Sequence, residues 1–165
     1  MLTLPQPLHL RNSNDDDYPF FTALFSSTRD DLRQLDWPQD KIEELIRQQQ
    51  LVQETGMRDL FPQAQYFVID YAGQSIGRVV LDIEPDNIRL VNISLIPQAK
   101  GNGIGRAIMH ALQSYAQEHQ CSLNLAVFQF NEPARNLYLS CGFTIIRNDG
   151  IQDHMIWRSS EQQAA

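Results

Sequence analysis

Residues 88–106 read IRLVNISLIPQAKGNGIGR, and the order of features in this stretch decides the fold. Ile88 to Ile96 is rich in β-branched and apolar side chains, as a long strand is, and Pro97 ends it by removing a ladder donor. Gly101, Gly103 and Gly105 follow within five positions. From Gly105 onward Ile108, Ala111, Leu112, Tyr115 and Ala116 recur at helical spacing up to about Gln120. A strand, a bare glycine loop and a helix start, in that order, leave backbone N–H groups uncovered beside the positive end of a helix dipole. A phosphate can dock there without clashing.

Working outward, Leu8-His9-Leu10 alternates like a short strand, and Asn14 to Asp17 offer capping groups for a helix entered at Tyr18-Pro19. Trp37-Pro38 opens a second helix, with Ile42, Leu45, Ile46 and Val52 as its apolar stripe and an end expected near Gly56. Tyr66 to Tyr71 and Ile76 to Ile83 read as a hairpin around Ala72-Gly73-Gln74. After the glycine-loop helix, Leu123 to Phe128 returns as a strand, and Asn131-Glu132-Pro133 starts a helix that ends before Gly142. Phe143 to Arg147 and His154 to Trp157 complete the sheet across a turn at Asp149-Gly150. The order β-α-α-β-β-β-α-β-α-β-β, without repeat or linker, predicts a single α+β domain over 1–165, with its core at about 8–158.

The 165 residues are 42% hydrophobic and 20% charged, an ordinary globular composition for one core. The net charge of −7 argues against nucleic-acid binding and mildly favours a cationic partner. No apolar run reaches membrane-span length and the N-terminal MLTLPQPLHL has no basic leader, so a cytoplasmic protein with no membrane partner is expected. Cys121 and Cys141 fit neither a disulfide framework nor metal spacing and read as two buried free thiols; no metal is expected.

Spacing discriminates among phosphate-binding loops. A Walker loop needs Lys-Ser/Thr after its last glycine, where this chain has Arg106-Ala107 after Gly105. A dinucleotide fingerprint needs G-x-G-x-x-G in an early βαβ unit, whereas this loop reads G-x-G-x-G after several strands. Lys100-x-x-Gly103-x-Gly105 resembles motif A of the GNAT superfamily of acyl-CoA N-acyltransferases, Q/R-x-x-G-x-G/A, with lysine keeping the positive charge of the first place. Asn131, Ala134, Tyr138 and Gly142-Phe143 resemble the second half of that signature.

The resemblance implies a mostly antiparallel mixed sheet of about seven strands flanked by four helices. It implies acetyl-CoA as acyl-donor cosubstrate, its pyrophosphate on the amides of Gly101, Asn102, Gly103, Ile104, Gly105 and Arg106, with Lys100 and Arg106 as charge partners. In GNAT folds the strand before the loop splays from its neighbour and the pantetheine arm pairs with it, which implicates Ser94, Leu95 and Ile96, with Asn131 bonding the same arm. Tyr138 becomes the general acid for the departing thiolate. On its residues alone, Asn131 also reads as a helix cap or turn residue and Tyr138 as a core aromatic.

A base is the missing part. A lysine-like amine of pKa about 10.4 costs roughly 4 to 5 kcal/mol to deprotonate at pH 7, against about 1 for an α-amino group. Many relatives carry a carboxylate about where Asn92 stands; Asp82 or Glu84, through water, is the replacement expected here. His154 lies on the last strand, where some relatives place substrate-facing residues, and His9, His110 and His119 read as surface or satisfied. The family selects its acceptor with the first two helices and the final hairpin, which makes Arg29, Gln53 and Met57 candidate substrate-wall residues, with Asp30, Asp31 and Gln50 beside them. The expected activity is acetyl transfer to a primary amine of a small molecule or peptide by direct attack, in a monomer or homodimer. The alternatives are a non-catalytic acyl-CoA sensing module, which Asn92 would suit, and an enzyme for a longer acyl-CoA.

Overall fold

The computed structural model describes residues 2–160 and 163. The elements follow the expected order: β1 (Leu8–Asn12), α1 (Tyr18–Ser27), α2 (Gln39–Leu60), β2 (Gln65–Tyr71), β3 (Gln74–Ile83), β4 (Asn87–Leu95), α3 (Ile104–Glu118), β5 (Ser122–Phe128), α4 (Glu132–Ser140), β6 (Thr144–Asn148) and β7 (Gln152–Arg158). One seven-stranded sheet runs β1-β2-β3-β4-β5-β7-β6. Every neighbouring pair is antiparallel except β4 and β5.

Local chemistry sets the boundaries. Asn14 and Asp17 form a capping box ahead of α1, and Arg11 ties that corner to β2 through Asp17 at 2.7 Å and Asp70 at 2.9 Å. Ala72 and Gly73, both at positive φ, make the two-residue turn whose twist suits the β2–β3 hairpin. The expected end of α2 at Gly56 is corrected to Leu60. A glycine inside a helix costs only about 1 kcal/mol relative to alanine, whereas Pro62 forces Phe61 out of helical backbone, at φ −132° and ψ 68°.

The apolar stripe assigned to α2 also needs correction. Val52 is 73% exposed, and Gln50 and Glu54 are the residues that turn inward with Ile42, Ile46 and Met57. Only one of the two cysteines is a buried thiol: Cys121 is buried and Cys141 half-buried, both unpaired.

The sheet separates two packed layers. Val79 and Leu81 of β3, Ile88 and Leu90 of β4, Leu123, Leu125 and Val127 of β5 and Met155 of β7 form one core with Ile108, Met109 and Leu112 of α3 and with Tyr138 and Phe143. Helices α3 and α4 therefore share a face, with the ideal Cβ of Gly105 only 3.3 Å from Leu137. Residues of opposite parity face the other way, toward α1 and α2, where the Arg78 guanidinium lies over Phe21 and bonds Glu54.

Candidate active site

Strands β4 and β5 pair only at Asn87–Ser122, Ile88–Leu123 and Arg89–Asn124. Beyond that point β5 continues beside β7 and β4 continues beside β3, so the sheet opens along one seam. A register shift between Val80–Asn92 and Leu81–Leu90 leaves Val91 as an extra residue just past the parting, and such bulges bend the strand that carries them.

The register then fixes which main-chain groups face the gap. Ile96 N–H donates to Ile76 C=O at 2.9 Å. Alternation in an antiparallel pair sends the N–H and C=O of Ser94 to β3 and those of Ile93 and Leu95 outward, toward β5. Ser94 and Leu95 sit opposite Arg78 and Gly77, and an ideal Cβ at Gly77 would lie 2.5 Å from Ser94 C=O and 2.8 Å from the Leu95 side chain. The glycine at 77, unremarked in the sequence, keeps the cleft-lining end of β4 close to β3.

At the end of that seam lies the glycine loop. Gly101 (φ 78°) and Gly103 (φ 76°) hold left-handed backbone, and a Cβ at either would meet nothing within 4 Å. Their outer surface is open, as a docked phosphate requires. Gly105 does different work, bringing α3 against α4. Arg106 is exposed and donates to Ser140 Oγ of α4 at 2.9 Å, Lys100 is exposed, and Asn102 Nδ2 turns back to the C=O of Gln98 and Lys100.

Helix α4 brings its residues to the same layer. Asn131 caps it, its side chain accepting from Ala134 N–H at 3.4 Å. Tyr138 is 6% exposed, its ring 6.0 Å from that of Phe143. Burial first, and the nearby Cys141 second, push its hydroxyl up to about 12, so the phenol keeps its proton throughout the neutral range.

The opposite face of β3 and β4 carries a buried polar cluster that sequence reading missed. Arg78, 3% exposed, donates from Nη1 to Glu54 at 2.7 Å and from Nη2 to Gln53 and Asn92, each at 3.4 Å. Its Nε and the Tyr66 hydroxyl are buried without a hydrogen-bond partner among the described residues. Burial, and then the charge of Glu54, raise Tyr66 above the usual phenol range. Asn92 thus accepts a bond from a guanidinium where the resemblance led one to expect a carboxylate.

The other expected residues are spread more widely. Asp82 lies four residues along β3 from Arg78 and Glu84 sits in the exposed turn beyond, roughly 13 and 20 Å along the strand from the level of Ser94. Of the wall residues, Gln53 touches Arg78, Met57 is buried beneath α2, and Arg29 is held by Gln49 and by Asp31 at 3.3 Å. Gln50 is buried and donates to Thr22, and Asp30 pairs with Arg33. On β7, His154 Nε2 lies 3.0 Å from Asp149 Oδ2. Among the described residues no group of three or more His, Cys, Asp or Glu could hold a metal, and no helix is long and apolar enough to cross a membrane.

The strand that parts from its neighbour, the bare loop at its end and the buried phenol of the shared core all fall within residues 29–143, the stretch that matches the acetyltransferase (GNAT) family. The chain belongs to that family. It is an acyltransferase, and its seven-stranded mixed sheet with four helices is the GNAT fold. Among solved structures it is similar to the PaiA N-acetyltransferase of Thermoplasma acidophilum in complex with coenzyme A, at 16% identity and a TM-score of 0.68 over 93% of this chain and 99% of that one. It is also similar to RimL, a ribosomal-protein α-N-acetyltransferase in complex with coenzyme A, at 17%, 0.65, 96% and 97%. A third GNAT-fold neighbour is the PseH N-acetyltransferase of Campylobacter jejuni in complex with acetyl coenzyme A, at 20%, 0.61, 93% and 99%. No curated protein sequence matches the chain.

Proposed function

We propose that this GNAT enzyme transfers an acetyl group from acetyl-CoA to a primary amine of a small molecule or peptide, by direct attack within a ternary complex. The observation that carries the reading is the seam between β4 and β5, into which the Leu95 N–H points. The amides of Gly101 to Arg106, with Lys100, hold the pyrophosphate, and Asn131 with the outward main-chain groups of Ile93 and Leu95 holds the pantetheine arm; Ser94 and Ile96, implicated by the resemblance, turn their main-chain groups to β3 instead. The free Leu95 N–H is the donor for the thioester carbonyl as negative charge develops on its oxygen. Acetyl-CoA supplies the activated acyl carbon; neither cysteine is needed as a nucleophile.

Tyr138 acts as a relay. A phenol at about 12 is a weaker acid than a thiol near 8.5, so giving its proton to a finished thiolate is uphill by about 5 kcal/mol. The transfer becomes favourable when the same oxygen receives the proton that the attacking nitrogen must lose as the amide forms. Tyr138 then starts and ends the cycle protonated.

The cationic amine suits a chain of net charge −7, and a peptide α-amino group, the substrate class named for RimL, is the least costly to deprotonate. The protein works in the cytoplasm without nucleic acid, as monomer or homodimer. Release of free CoA from acetyl-CoA across a panel of amines and peptides tests the reading, with calorimetry for CoA binding. Turnover of at least one amine is expected. Binding without any turnover would favour the sensing module, to which the Arg78–Asn92 contact lends support; heat and turnover only with longer acyl chains would favour the third reading; no binding of any CoA derivative would defeat all of them.

A further inference from the structure

Resting on the acetyltransferase reading, we infer that His154, oriented by Asp149, is the general base that removes the proton from the acceptor amine. The two residues form a bonded pair that the fold builds with care. Asp149 Oδ1 accepts from the N–H groups of Ile151 at 2.9 Å and Gln152 at 2.7 Å, which leaves Oδ2 for His154 Nε2 at 3.0 Å. The hairpin is locked further by Asn148, which accepts from Gly150 N–H and donates to Asp153, itself held by Arg135 of α4.

Those turn hydrogen bonds, that of Gln152 foremost, and the imidazole hold Asp149 far below the usual carboxylate range. An ionised carboxylate only accepts, so Nε2 carries the imidazole hydrogen and donates it. Nδ1 is left with its lone pair and with no partner among the described residues. Orientation of an imidazole by a carboxylate in this way fixes the tautomer that can act as a base.

Position completes the argument. His154 is the register partner of Ala126 on β5, the strand that has left β4 two residues earlier, at Asn124. Leu125 and Val127 face α3, so Ala126 and His154 lie on the opposite face, the one shared with Arg78 and Asn92. Directly opposed residues stand about 4.5–5.5 Å apart at Cβ, so His154 lies one strand from the seam with only the small side chain of Ala126 opposite it. Asp82, in register with Arg89 and through it with Asn124, lies two positions farther from the open end of the seam than His154, and Glu84 lies farther still.

The charged groups around His154 are few. Asp149 faces it from the turn, and Arg147 is its register partner on β6. Ala126 of β5 is neutral, and Asp153 with Arg135 of α4 lies on the other face. No carboxylate or cation of α1 or α2 forms an ion pair with it among the described residues.

The step balances. The acceptor ammonium gives one proton to His154 Nδ1, the freed nitrogen bonds to the thioester carbon, the C–S bond breaks, and sulfur takes its proton through Tyr138. The surplus proton of the amide nitrogen returns to Tyr138, and His154 releases its proton to solvent.

The test follows CoA release from acetyl-CoA with n-butylamine, glycinamide and water as acceptors, for the parent, His154→Gln and Asp149→Asn, with acetyl-CoA affinity measured by calorimetry. His154→Gln is expected to lose about 100-fold or more in kcat with n-butylamine and less with glycinamide, whose amine is closer to neutral. Its acetyl-CoA affinity stays at the parental value, and the acid limb of the kcat–pH profile disappears. Asp149→Asn keeps the two turn hydrogen bonds but turns an acceptor into a donor, which reverses the imidazole tautomer and costs at least about tenfold. Parental kcat with an intact acid limb in both variants would overturn the inference while leaving the acetyltransferase reading in place. Equal losses with both amines alongside lost acetyl-CoA binding would also overturn it, marking the dyad as structural. A parent that binds no acetyl-CoA and releases no CoA with any acceptor defeats the reading itself.

Discussion

The two sides of β4 are built by different means. Along the seam and toward α3 and α4 the candidate working groups are mostly main-chain N–H groups, from the loop at 101–106 and from Leu95, with one buried phenol in the same core. Toward α1 and α2 they are side chains from distant segments: Glu54 with Arg78, 24 positions apart, and Arg89 with Asn124, 35 apart. Backbone can hold a ligand shared by a whole family because it depends only on the path of the chain. Side-chain pairs can be exchanged without moving that path.

The largest effect should fall on the first side. Tyr138→Phe removes one oxygen from a buried ring, so the fold and CoA affinity should hold while kcat drops about 10²–10⁴-fold, the range for a lost proton-transfer group. Stopped-time CoA release with parallel calorimetry measures both. A loss of affinity equal to the loss of rate would mean that the phenol binds the arm rather than moving a proton.

On the second side the leading effect should be on stability. Glu54→Ala leaves the Arg78 guanidinium buried and uncompensated, and breaking such a pair costs about 3–5 kcal/mol. Replacing both partners together, Glu54→Leu with Arg78→Met, should recover most of that loss and change the ranking of acceptors in the CoA-release panel. Chemical denaturation of the single and double variants reads the first claim. A single variant as stable as the parent would show that water reaches the cluster and that the pair is not structural.

This division explains what the sequence made legible. The glycine loop, the Asn131-Glu132-Pro133 helix start and Gly142 are local signals, each acting within a few residues of itself, and the order of all eleven elements followed from such signals. The apolar stripe of α2 was misread because periodicity assumes that inward positions are apolar. Glu54 faces inward on account of Arg78 on β3, which nothing near Glu54 reveals, and Val52 is left to solvent. Glycine at 56 suggested a stop, yet the proline at 62 is the stronger local signal and sets the end. Only the His154–Asp149 pair was within reach: the Asp149-Gly150 turn and the strand after it were both recognised, and folding that hairpin places the two side chains together.

A smaller effect tests the junction of the two sides. Gly77→Ala would put a methyl against Ser94 C=O and the Leu95 side chain, and overpacking of this kind costs about 1–3 kcal/mol. The Ser94 contact is backbone, so relief requires β3 and β4 to separate there, and weakened CoA binding should accompany the lower stability. A destabilised variant with parental CoA affinity would detach the cleft from its packing against Gly77.

The smallest expected effect concerns Asn131, where cap and ligand-binding roles fall on one side chain. Its 3.4 Å bond to Ala134 N–H is long for a cap, so the cap alone should be worth no more than the lower part of the usual range of about 0.5–2 kcal/mol. Asn131→Asp keeps an acceptor for that N–H, places a negative charge at the helix start where it is favoured, and removes the amide donor. If the donor is used by the pantetheine arm, this variant should match the parent in thermal melting yet bind CoA several-fold more weakly, the effect of one hydrogen bond of about 1 kcal/mol. Asn131→Ala should lose both. Parental CoA affinity in the aspartate variant would leave Asn131 with the cap alone, and the binding of the arm would then rest on main-chain groups of β4 and the loop.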